Sequence, residues 1–353
     1  MRAVRYMGHG AGPRAVVLDA RAAKPEAGPG EALIRPLKVG VSPADILMAR
    51  GLKEGGDLEP ITLGHEFIGI VEKVARPESD GAPISPHETS TLRHGKFAGK
   101  RVVASPVISC ARCELCRGGL GSHCRARAIL GVHGRDGCLG ELCTLPLANL
   151  HVVPDSVDDD DAVLALPLAG AIGAAQRVRI EGRPYVTVLG DTAPALLCAQ
   201  VMAKLNASVR VLGASEPRFT LCERWGIKHR HVNEAGKRGD QDVVIECSGT
   251  PAGLETALRL VRPRGRVVLL GDLAPASAPA APPPPSFDLR AAVMREIEII
   301  GSLGGPIGEA LHLLATRQVD TTGMITRRFK LERAVDALAA ATRDDQVKVV
   351  IEI

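Results

Sequence analysis

Four cysteines that lie close together form the strongest chemical pattern in the sequence. The segment 110–124 reads CARCELCRGGLGSHC, in which Cys110, Cys113, Cys116 and Cys124 follow the spacing C-x2-C-x2-C-x7-C. Tight turns between such cysteines direct their thiolates at one point, and four sulfur ligands suit a tetrahedral zinc ion. Because four protein ligands leave no open position for a substrate, the pattern predicts a structural zinc. Buried cysteines, disulfides and an iron–sulfur cluster are the alternatives.

A histidine next to a glutamate is a second feature that could bind a metal. Residues 61–74 read ITLGHEFIGIVEKV, which puts His65 and Glu66 in a turn before an apolar, β-branched run. Surface loops contain such pairs often, so the pair alone does not establish a site. It would be half of a metal site only if the rest of the chain supplied further ligands.

Composition and charge narrow the class of protein. The chain has 353 residues, enough for two domains, and only 2% of them are aromatic, which predicts an aliphatic core. A net charge of +4 without a basic stripe argues against a nucleic-acid partner. No stretch approaches the roughly 18 apolar residues of a membrane helix, and residues 1–12 lack a secretory signal. We therefore expect a cytoplasmic protein whose nine cysteines are thiols or metal ligands.

Alternating strands and helices are predicted in the second half of the chain. Strands are predicted at 185–190, 208–213, 242–249, 265–271 and 296–302, and helices at 193–205 and 253–261. This alternation is typical of an α/β protein with a doubly wound parallel sheet, a fold that commonly binds dinucleotides.

Two segments have no predicted element. Residues 76–95 read as a polar loop of unknown role. The proline-rich run 274–286 is either an extended loop near the carboxyl edge of the sheet or a disordered insertion.

The chain resembles the zinc-type medium-chain dehydrogenase/reductases, the alcohol dehydrogenase superfamily. The resemblance covers essentially the whole length and is carried by the run GHEFIGIVEKV, the four-cysteine lobe and the segments 134–157 and 262–271. It implies a small-molecule substrate and a homo-dimer or homo-tetramer in which edge strands around 297–302 pair.

The resemblance also implies how the chain divides into domains. A GroES-like β-barrel catalytic domain is expected at 1–166 and 304–353, with a structural zinc lobe at about 105–130. A Rossmann dinucleotide-binding domain is expected at 167–303.

Two ligands that the resemblance implies for a catalytic zinc are replaced in this chain. The family's cysteine ligand corresponds to Ser42 in GVSPAD 40–45, and the third ligand, a cysteine or glutamate, corresponds to Leu166. A neutral serine is a poor zinc ligand, and leucine has no donor atom. Since catalytic zinc needs about three protein ligands, we expect the usual catalytic zinc to be missing.

A rearranged ligand set is the alternative. Glu66 could ligate together with His65 and either His133 or Cys138. Asp45 resembles the family's carboxylate behind the histidine and is expected to orient His65. The predicted catalytic residues are Ser42, Asp45, His65 and Glu66.

The dinucleotide fingerprint is incomplete. Where the family has G-x-G-x-x-G, segment 190–195 reads GDTAPA, so Thr192 replaces the second glycine and Ala195 the third. The threonine crowds the approach to the pyrophosphate, although it could cap the helix, whose N-terminus still favours an anion. The end of the second strand offers Gly213, Ala214 and Ser215 in place of the acid that would bind a ribose 2′-hydroxyl, and Arg218 lies within reach of a 2′-phosphate, which mildly favours NADP(H) over NAD(H). The predicted cofactor-binding residues are Gly190, Asp191, Thr192, Ala193, Ser215 and Arg218.

Three functions are compatible with these patterns. The first is an oxidoreductase that transfers hydride between NAD(P)H and a small carbonyl, alcohol or activated alkene without the usual catalytic zinc, with Ser42, His65 or a fixed water polarising the substrate. The second is a catalytically silent relative that acts as a binding or scaffold protein. The third is a zinc-dependent alcohol dehydrogenase with unusual ligands.

Overall fold

The computed structural model describes residues 1–8, 15–50, 60–75, 96–178, 181–271 and 288–353. The two predicted loops, 76–95 and 274–286, lie outside these residues.

The first part of the chain is mainly strands. Its elements are β1 (Ala3–Tyr6), β2 (Val16–Asp19), β3 (Glu31–Gly40), α1 (Pro43–Ala49), β4 (Ile61–Thr62), β5 (Glu66–Val74), β6 (Arg101–Ala104), β7 (Val107–Ile108), α2 (Glu114–Arg117), β8 (Ala128–Leu130), β9 (Gly134–Arg135), β10 (Cys143–Pro146), β11 (Leu150–Val152) and α3 (Asp159–Val163).

The remaining elements alternate between helices and strands. They are α4 (Ala165–Gln176), β12 (Tyr185–Leu189), α5 (Ala193–Lys204), β13 (Ser208–Gly213), α6 (Glu216–Arg224), β14 (Lys228–His231), β15 (Gln241–Glu246), α7 (Pro251–Leu260), β16 (Val261–Leu269), α8 (Arg290–Met294), β17 (Glu298–Gly301), α9 (Ile307–Ala315), β18 (Ile325–Lys330), α10 (Ala334–Ala340) and β19 (Lys348–Glu352).

The barrel part combines both ends of the chain. Its larger sheet has the order β11-β6-β5-β3-β19-β18, with β10 also paired to β3, and a smaller sheet has the order β2-β1-β4. Strand β3 alternates buried and more exposed residues over most of its length, as expected for a strand with one face on a core. The carboxyl-terminal strand β19 pairs with β3, which brings Lys348 beside the turn that carries His65.

The second half forms the predicted parallel sheet. Six strands lie in the order β14-β13-β12-β15-β16-β17, and all the pairings are parallel. In sequence order this is 3-2-1-4-5-6, the doubly wound arrangement of dinucleotide-binding folds, so the predicted fold class is confirmed. The predicted strands recur with bounds shifted by a few residues. Strand β14, with the sequence KHRH, was not predicted, because it lies at a sheet edge and has no apolar alternation.

The hydrophobic cores are largely aliphatic, as the composition predicts. One core lies inside the barrel around Ile34, Phe67 and Val349, and two others cover the two faces of the parallel sheet. Helix α4 packs against α5 and α9 and runs across the predicted domain boundary at 166, so the division into domains stays a prediction. In the part of the chain that the structure describes, no helix is both long and apolar enough to span a membrane.

Candidate functional site

The four predicted zinc ligands come together in the structure. One sulfur atom from each of Cys110, Cys113, Cys116 and Cys124 lies within 4.8 Å of all the others. The separation between the Sγ atoms of Cys113 and Cys116 is 3.4 Å, and that between Cys110 and Cys116 is 4.0 Å. A tetrahedral zinc with Zn–S bonds of about 2.3 Å requires sulfur separations of roughly 3.8 Å. The cluster is therefore consistent with a structural zinc.

Short local elements aim these thiols at one another. Cys113 is the N-cap residue immediately before α2, and Ala111 has a positive φ of 56°, which turns the chain sharply between the first two cysteines. Hydrogen bonds from the backbone N–H groups of Arg112 and Cys113 lower the pKa of Cys110 to about 6. A thiol with a lowered pKa is more readily present as the thiolate that binds a metal.

Ser42 and Asp45 form a buried hydrogen-bond pair at the start of α1. The Ser42 hydroxyl donates to Asp45 Oδ2 at 2.6 Å and accepts from the Asp45 backbone N–H at 3.1 Å. Asp45 Oδ2 also accepts from the Ser42 backbone N–H, which completes a capping box. The serine is 1% exposed. Its hydroxyl is therefore engaged in holding the helix and is not presented to a substrate.

His65 is not oriented by Asp45, which differs from the prediction. Asp45 Oδ1 accepts from the backbone N–H of Gly64 at 3.0 Å, and its other oxygen is bound by Ser42. The Nδ1 atom of His65 is shielded from solvent and has no hydrogen-bond partner in the described part of the chain. The imidazole is only half-buried, whereas Ser42, Asp45 and Glu66 are buried. His65 is thus the most accessible of the four predicted catalytic side chains.

Glu66 is paired with a lysine that no sequence pattern indicates. Lys348 forms an ion pair with Glu66 Oε2 and also donates to the carbonyl oxygen of Val41 at 2.9 Å. Only 7% of the Glu66 side chain and 4% of the Lys348 side chain are exposed. A carboxylate that neutralises a buried ammonium group is a poor candidate for a metal ligand, since its removal would leave that charge unpaired.

The structure forms no second metal-binding cluster from the residues it describes. There, the four cysteines are the one group of three or more histidine, cysteine or carboxylate side chains close enough to share an ion. Leu166 packs against the sheet core, and His133 is exposed. Cys138 is fully buried, and burial raises the pKa of its thiol well above the usual range, which disfavours the thiolate that would bind zinc. The alternative ligand set with His133 or Cys138 is therefore not assembled.

The predicted nucleotide-binding residues lie at the carboxyl edge of the parallel sheet. Gly190 follows β12 with a φ of +116°, and a Cβ atom at this position would lie 3.3 Å from the backbone nitrogen of Ser248. Thr192 precedes α5, but its side chain makes no capping hydrogen bond, contrary to the prediction. Among the described residues, no acceptor binds the backbone N–H groups of Thr192 and Ala193. These N–H groups and the helix dipole remain available to an anion.

Asp191, Ser215 and Arg218 are already engaged with one another or with the carboxyl-terminal segment. Asp191 accepts from the backbone N–H of Ser215 at 2.8 Å and from Arg218 Nη1 at 2.6 Å. The Ser215 hydroxyl donates to the carbonyl oxygen of Asp344 at 2.5 Å. Arg218 was predicted to lie within reach of a 2′-phosphate, and in the structure it is a nearly buried ion-pair partner of Asp191.

Both halves of the chain match models of known protein families. Residues 28–155 match the alcohol dehydrogenase GroES-like domain, and residues 195–316 match the zinc-binding dehydrogenase domain. The chain belongs to the zinc-type medium-chain dehydrogenase/reductase superfamily. The recognition made from the sequence motifs is thereby confirmed, and with it the GroES-like and Rossmann parts of the fold.

Members of this superfamily resemble the chain over most of its length. An L-threonine 3-dehydrogenase of Streptomyces avermitilis is 29% identical over 346 residues, which cover 93% of this chain and 94% of the relative. A zinc-type alcohol dehydrogenase-like protein of Haemophilus influenzae is 27% identical over 320 residues, 87% of this chain and 86% of the relative. The solved structure of a zinc-binding dehydrogenase from Sinorhizobium meliloti bound to NADP has a TM-score of 0.82 at 27% identity and covers 100% of this chain and 99% of its own.

Proposed function

We propose that this protein is an oxidoreductase that transfers hydride between NAD(P)H and a small carbonyl, alcohol or activated alkene without the usual catalytic zinc. The absence of the usual catalytic zinc is inferred from the side chains around His65. Ser42 is committed to the cap of α1, Leu166 has no donor atom, and Glu66 is committed to Lys348. A zinc ion at His65 would therefore lack the three protein ligands that catalytic zinc requires.

Two observations support binding of NAD(P)H: the chain belongs to a dehydrogenase superfamily, and the N-terminus of α5 has N–H groups without acceptors among the described residues. Gly190 makes the tight turn from β12 into α5, and the N–H groups of Thr192 and Ala193 would donate to a pyrophosphate. The relative from Sinorhizobium meliloti was solved with NADP, which fits a nucleotide at this edge of the sheet. When bound, the nicotinamide supplies or accepts the hydride.

His65 is the residue that we propose to contact the reacting oxygen. Its imidazole is the accessible member of the predicted set, and it can donate a hydrogen bond to a carbonyl oxygen or take a proton from an alcohol. Ser42 and Asp45 position the preceding turn, because Asp45 binds the backbone N–H of Gly64. A small-molecule substrate fits this arrangement, and L-threonine is a reasonable member of a test panel because relatives act on it.

The main competing function is a catalytically silent relative that binds a partner on the same fold. The replacement of the second fingerprint glycine by Thr192 favours it, because a branched side chain there would weaken dinucleotide binding. The third function, a zinc-dependent alcohol dehydrogenase with unusual ligands, requires a second ligand cluster, and the residues that the structure describes form none.

Turnover after mild chelation tests the proposal. The purified protein is dialysed against a chelator until one zinc per chain remains, and the absorbance of the reduced nicotinamide is then followed with a panel of small aldehydes, ketones, enones and L-threonine. We expect turnover to persist, and His65→Ala to lower kcat by roughly 10²–10⁴-fold, the usual contribution of a proton-transferring side chain. His65→Gln serves as the matched control, because it keeps a hydrogen-bond donor but cannot transfer the proton.

Three results would contradict the proposal in different ways. Loss of turnover together with a second zinc would support the zinc-dependent function. Nucleotide binding without turnover on any substrate, or no nucleotide binding at all, would support the silent relative. Unchanged kcat in His65→Ala would remove His65 from the reaction while leaving the cofactor assignment intact.

A further inference from the structure

The carboxylate of Asp191 lies at the end of β13 although the residue itself follows β12. Its Oδ2 atom accepts from the backbone N–H groups of Ala214 and Ser215, each at 2.8 Å. In dinucleotide-binding folds, an acidic side chain at the end of the second strand binds the ribose hydroxyls of the adenosine. The sequence contains no acid at that point of its second strand, yet the structure places one there from the first turn.

The last residue of β13 is Gly213, and the Asp191 side chain fills the space that a larger side chain at this position would need. A Cβ atom added to Gly213 would lie 2.5 Å from Asp191 Oδ2 and 2.7 Å from the Asp191 Cβ. Contacts under about 3 Å force one of the two groups to move. The Asp191 carboxylate can occupy this position only because residue 213 is a glycine. An acidic side chain at residue 213 itself would collide with Asp191.

The charge of Arg218 is already paired, although its Nε–H group is shielded from solvent and has no hydrogen-bond partner among the described residues. Its Nη1 atom donates to Asp191 Oδ1 at 2.6 Å, and its Nη2 atom donates to the carbonyl oxygen of Arg343 at 3.1 Å. The Arg218 side chain is 11% exposed and that of Asp191 is 7% exposed. The segment between α10 and β19 also contacts this corner, because the Ser215 hydroxyl donates to the carbonyl oxygen of Asp344.

From this geometry we infer that the Asp191–Arg218 pair excludes a 2′-phosphate and selects a dinucleotide with a free ribose 2′-hydroxyl, NAD(H) rather than NADP(H). The inference rests on the proposed function, since it concerns the adenosine end of the same cofactor site. A 2′-phosphate brings about two negative charges next to the Asp191 carboxylate, whereas a hydroxyl donates to it. Oδ2 already accepts two hydrogen bonds, but Oδ1 accepts only one and can receive a hydroxyl.

This inference reverses the mild preference for NADP(H) that the isolated sequence suggests. Arg218 is attractive for a phosphate only if its charge is unpaired, and in the structure it is paired. The relative from Sinorhizobium meliloti was solved with NADP at 27% identity, so the adenosine end is a place where we expect this chain to differ from that relative.

Calorimetric titration with NAD+ and NADP+ tests the inference. The proteins compared are wild type, Asp191→Asn, Arg218→Ala and the double variant. Asparagine keeps one oxygen for the N–H groups of Ala214 and Ser215 but removes the charge and releases Arg218. Asp336→Asn is the matched control, because it neutralises a carboxylate in an exposed arginine pair on α10. Melting temperatures establish that each variant is folded.

We expect wild type to bind NAD+ at least about tenfold more tightly than NADP+. Asp191→Asn should shift this ratio by about tenfold or more towards NADP+, and adding Arg218→Ala should abolish the gain. Arg218→Ala alone should leave NADP+ weak, because Asp191 keeps its charge, and Asp336→Asn should leave the ratio unchanged.

The outcomes separate this inference from the proposed function. Wild type that binds NADP+ as tightly as NAD+, or more tightly, would overturn the inference and leave the oxidoreductase standing. So would a loss of NADP+ binding in Arg218→Ala, since that would make Arg218 a phosphate ligand. Thr192→Gly is included because it removes the branched side chain beside the pyrophosphate path and strengthens weak binding. If neither it nor any other variant binds a dinucleotide, the proposed function fails and this inference fails with it.

Discussion

The Ser42 hydroxyl, which could otherwise contact a substrate, caps the N-terminus of helix α1. The Ser42–Asp45 capping box and the Glu66–Lys348 ion pair each satisfy polar groups that a metal site would otherwise use. Such a local cap contributes about 1 kcal/mol to stability, and breaking a buried ion pair costs about 3–5 kcal/mol. The turn around His65 is thus held by the protein itself and does not depend on a metal ion.

Restoring two ligands should restore a second zinc. In the double variant Ser42→Cys with Leu166→Glu, a thiolate, the His65 imidazole and a carboxylate would supply the three donors that catalytic zinc needs. We expect metal analysis after dialysis to find two zincs per chain in the double variant and close to one in wild type. Each single variant should gain much less, because zinc would still lack a ligand.

Wild type is the decisive control for this prediction. If the unaltered protein holds two tightly bound zincs and the second is lost in His65→Ala, the assignment of a degenerate site is wrong. A double variant that stays folded and still holds one zinc would show that Leu166 does not lie where the resemblance places it.

Local sequence patterns predicted the residues whose partners are near in the chain. The four cysteines lie within one short segment, and their spacing was sufficient to predict the cluster. Lys348 was missed because its partner Glu66 is 282 positions away, and no periodicity relates residues at that separation. The Asp191–Arg218 pair was missed for a related reason, since a parallel crossover brings together two strand ends that the sequence separates.

At the scale of elements, the zinc lobe has almost no hydrophobic core. Between residues 111 and 127, Cys124 is the one buried residue, and α2 is four residues long. A helix this short is not stable on its own in water. The lobe must therefore take its order from the metal, whose binding contributes about 10–16 kcal/mol in small zinc modules.

Cys113→Ser should remove this zinc and destabilise the lobe. Serine is neutral and a poor zinc ligand, so three thiolates would remain and the ion should be lost on dialysis. We expect metal analysis to find less than one zinc per chain and hydrogen exchange to accelerate across residues 105–130. Cys222→Ala, which alters a thiol far from the cluster, should keep the zinc. Unchanged zinc content in Cys113→Ser would refute the four-cysteine assignment.

Across the whole molecule, exposed apolar side chains are concentrated at one sheet edge. Half of the ten exposed large hydrophobic residues in the described part of the chain fall between 289 and 303, namely Leu289, Val293, Met294, Ile299 and Leu303. Met294 is 81% exposed and Val293 is 75% exposed. They accompany β17, which lies at one edge of the six-stranded sheet and has an unpaired side. An apolar, unpaired edge strand is a surface that proteins normally cover.

We expect a second copy of the chain to cover this edge, so that the two β17 strands pair across a twofold axis. Such pairing would satisfy the free backbone groups of both strands and bury the apolar side chains of both copies. Ile299→Lys should shift the protein from dimer to monomer in sedimentation experiments, because a lysine at an edge opposes pairing.

Leu205→Lys is the matched control, since Leu205 is also exposed but follows α5, away from β17, and it should leave the mass unchanged. A wild-type monomer at concentrations well above those of an assay would contradict the prediction, and a dimer that persists in Ile299→Lys would place the interface elsewhere.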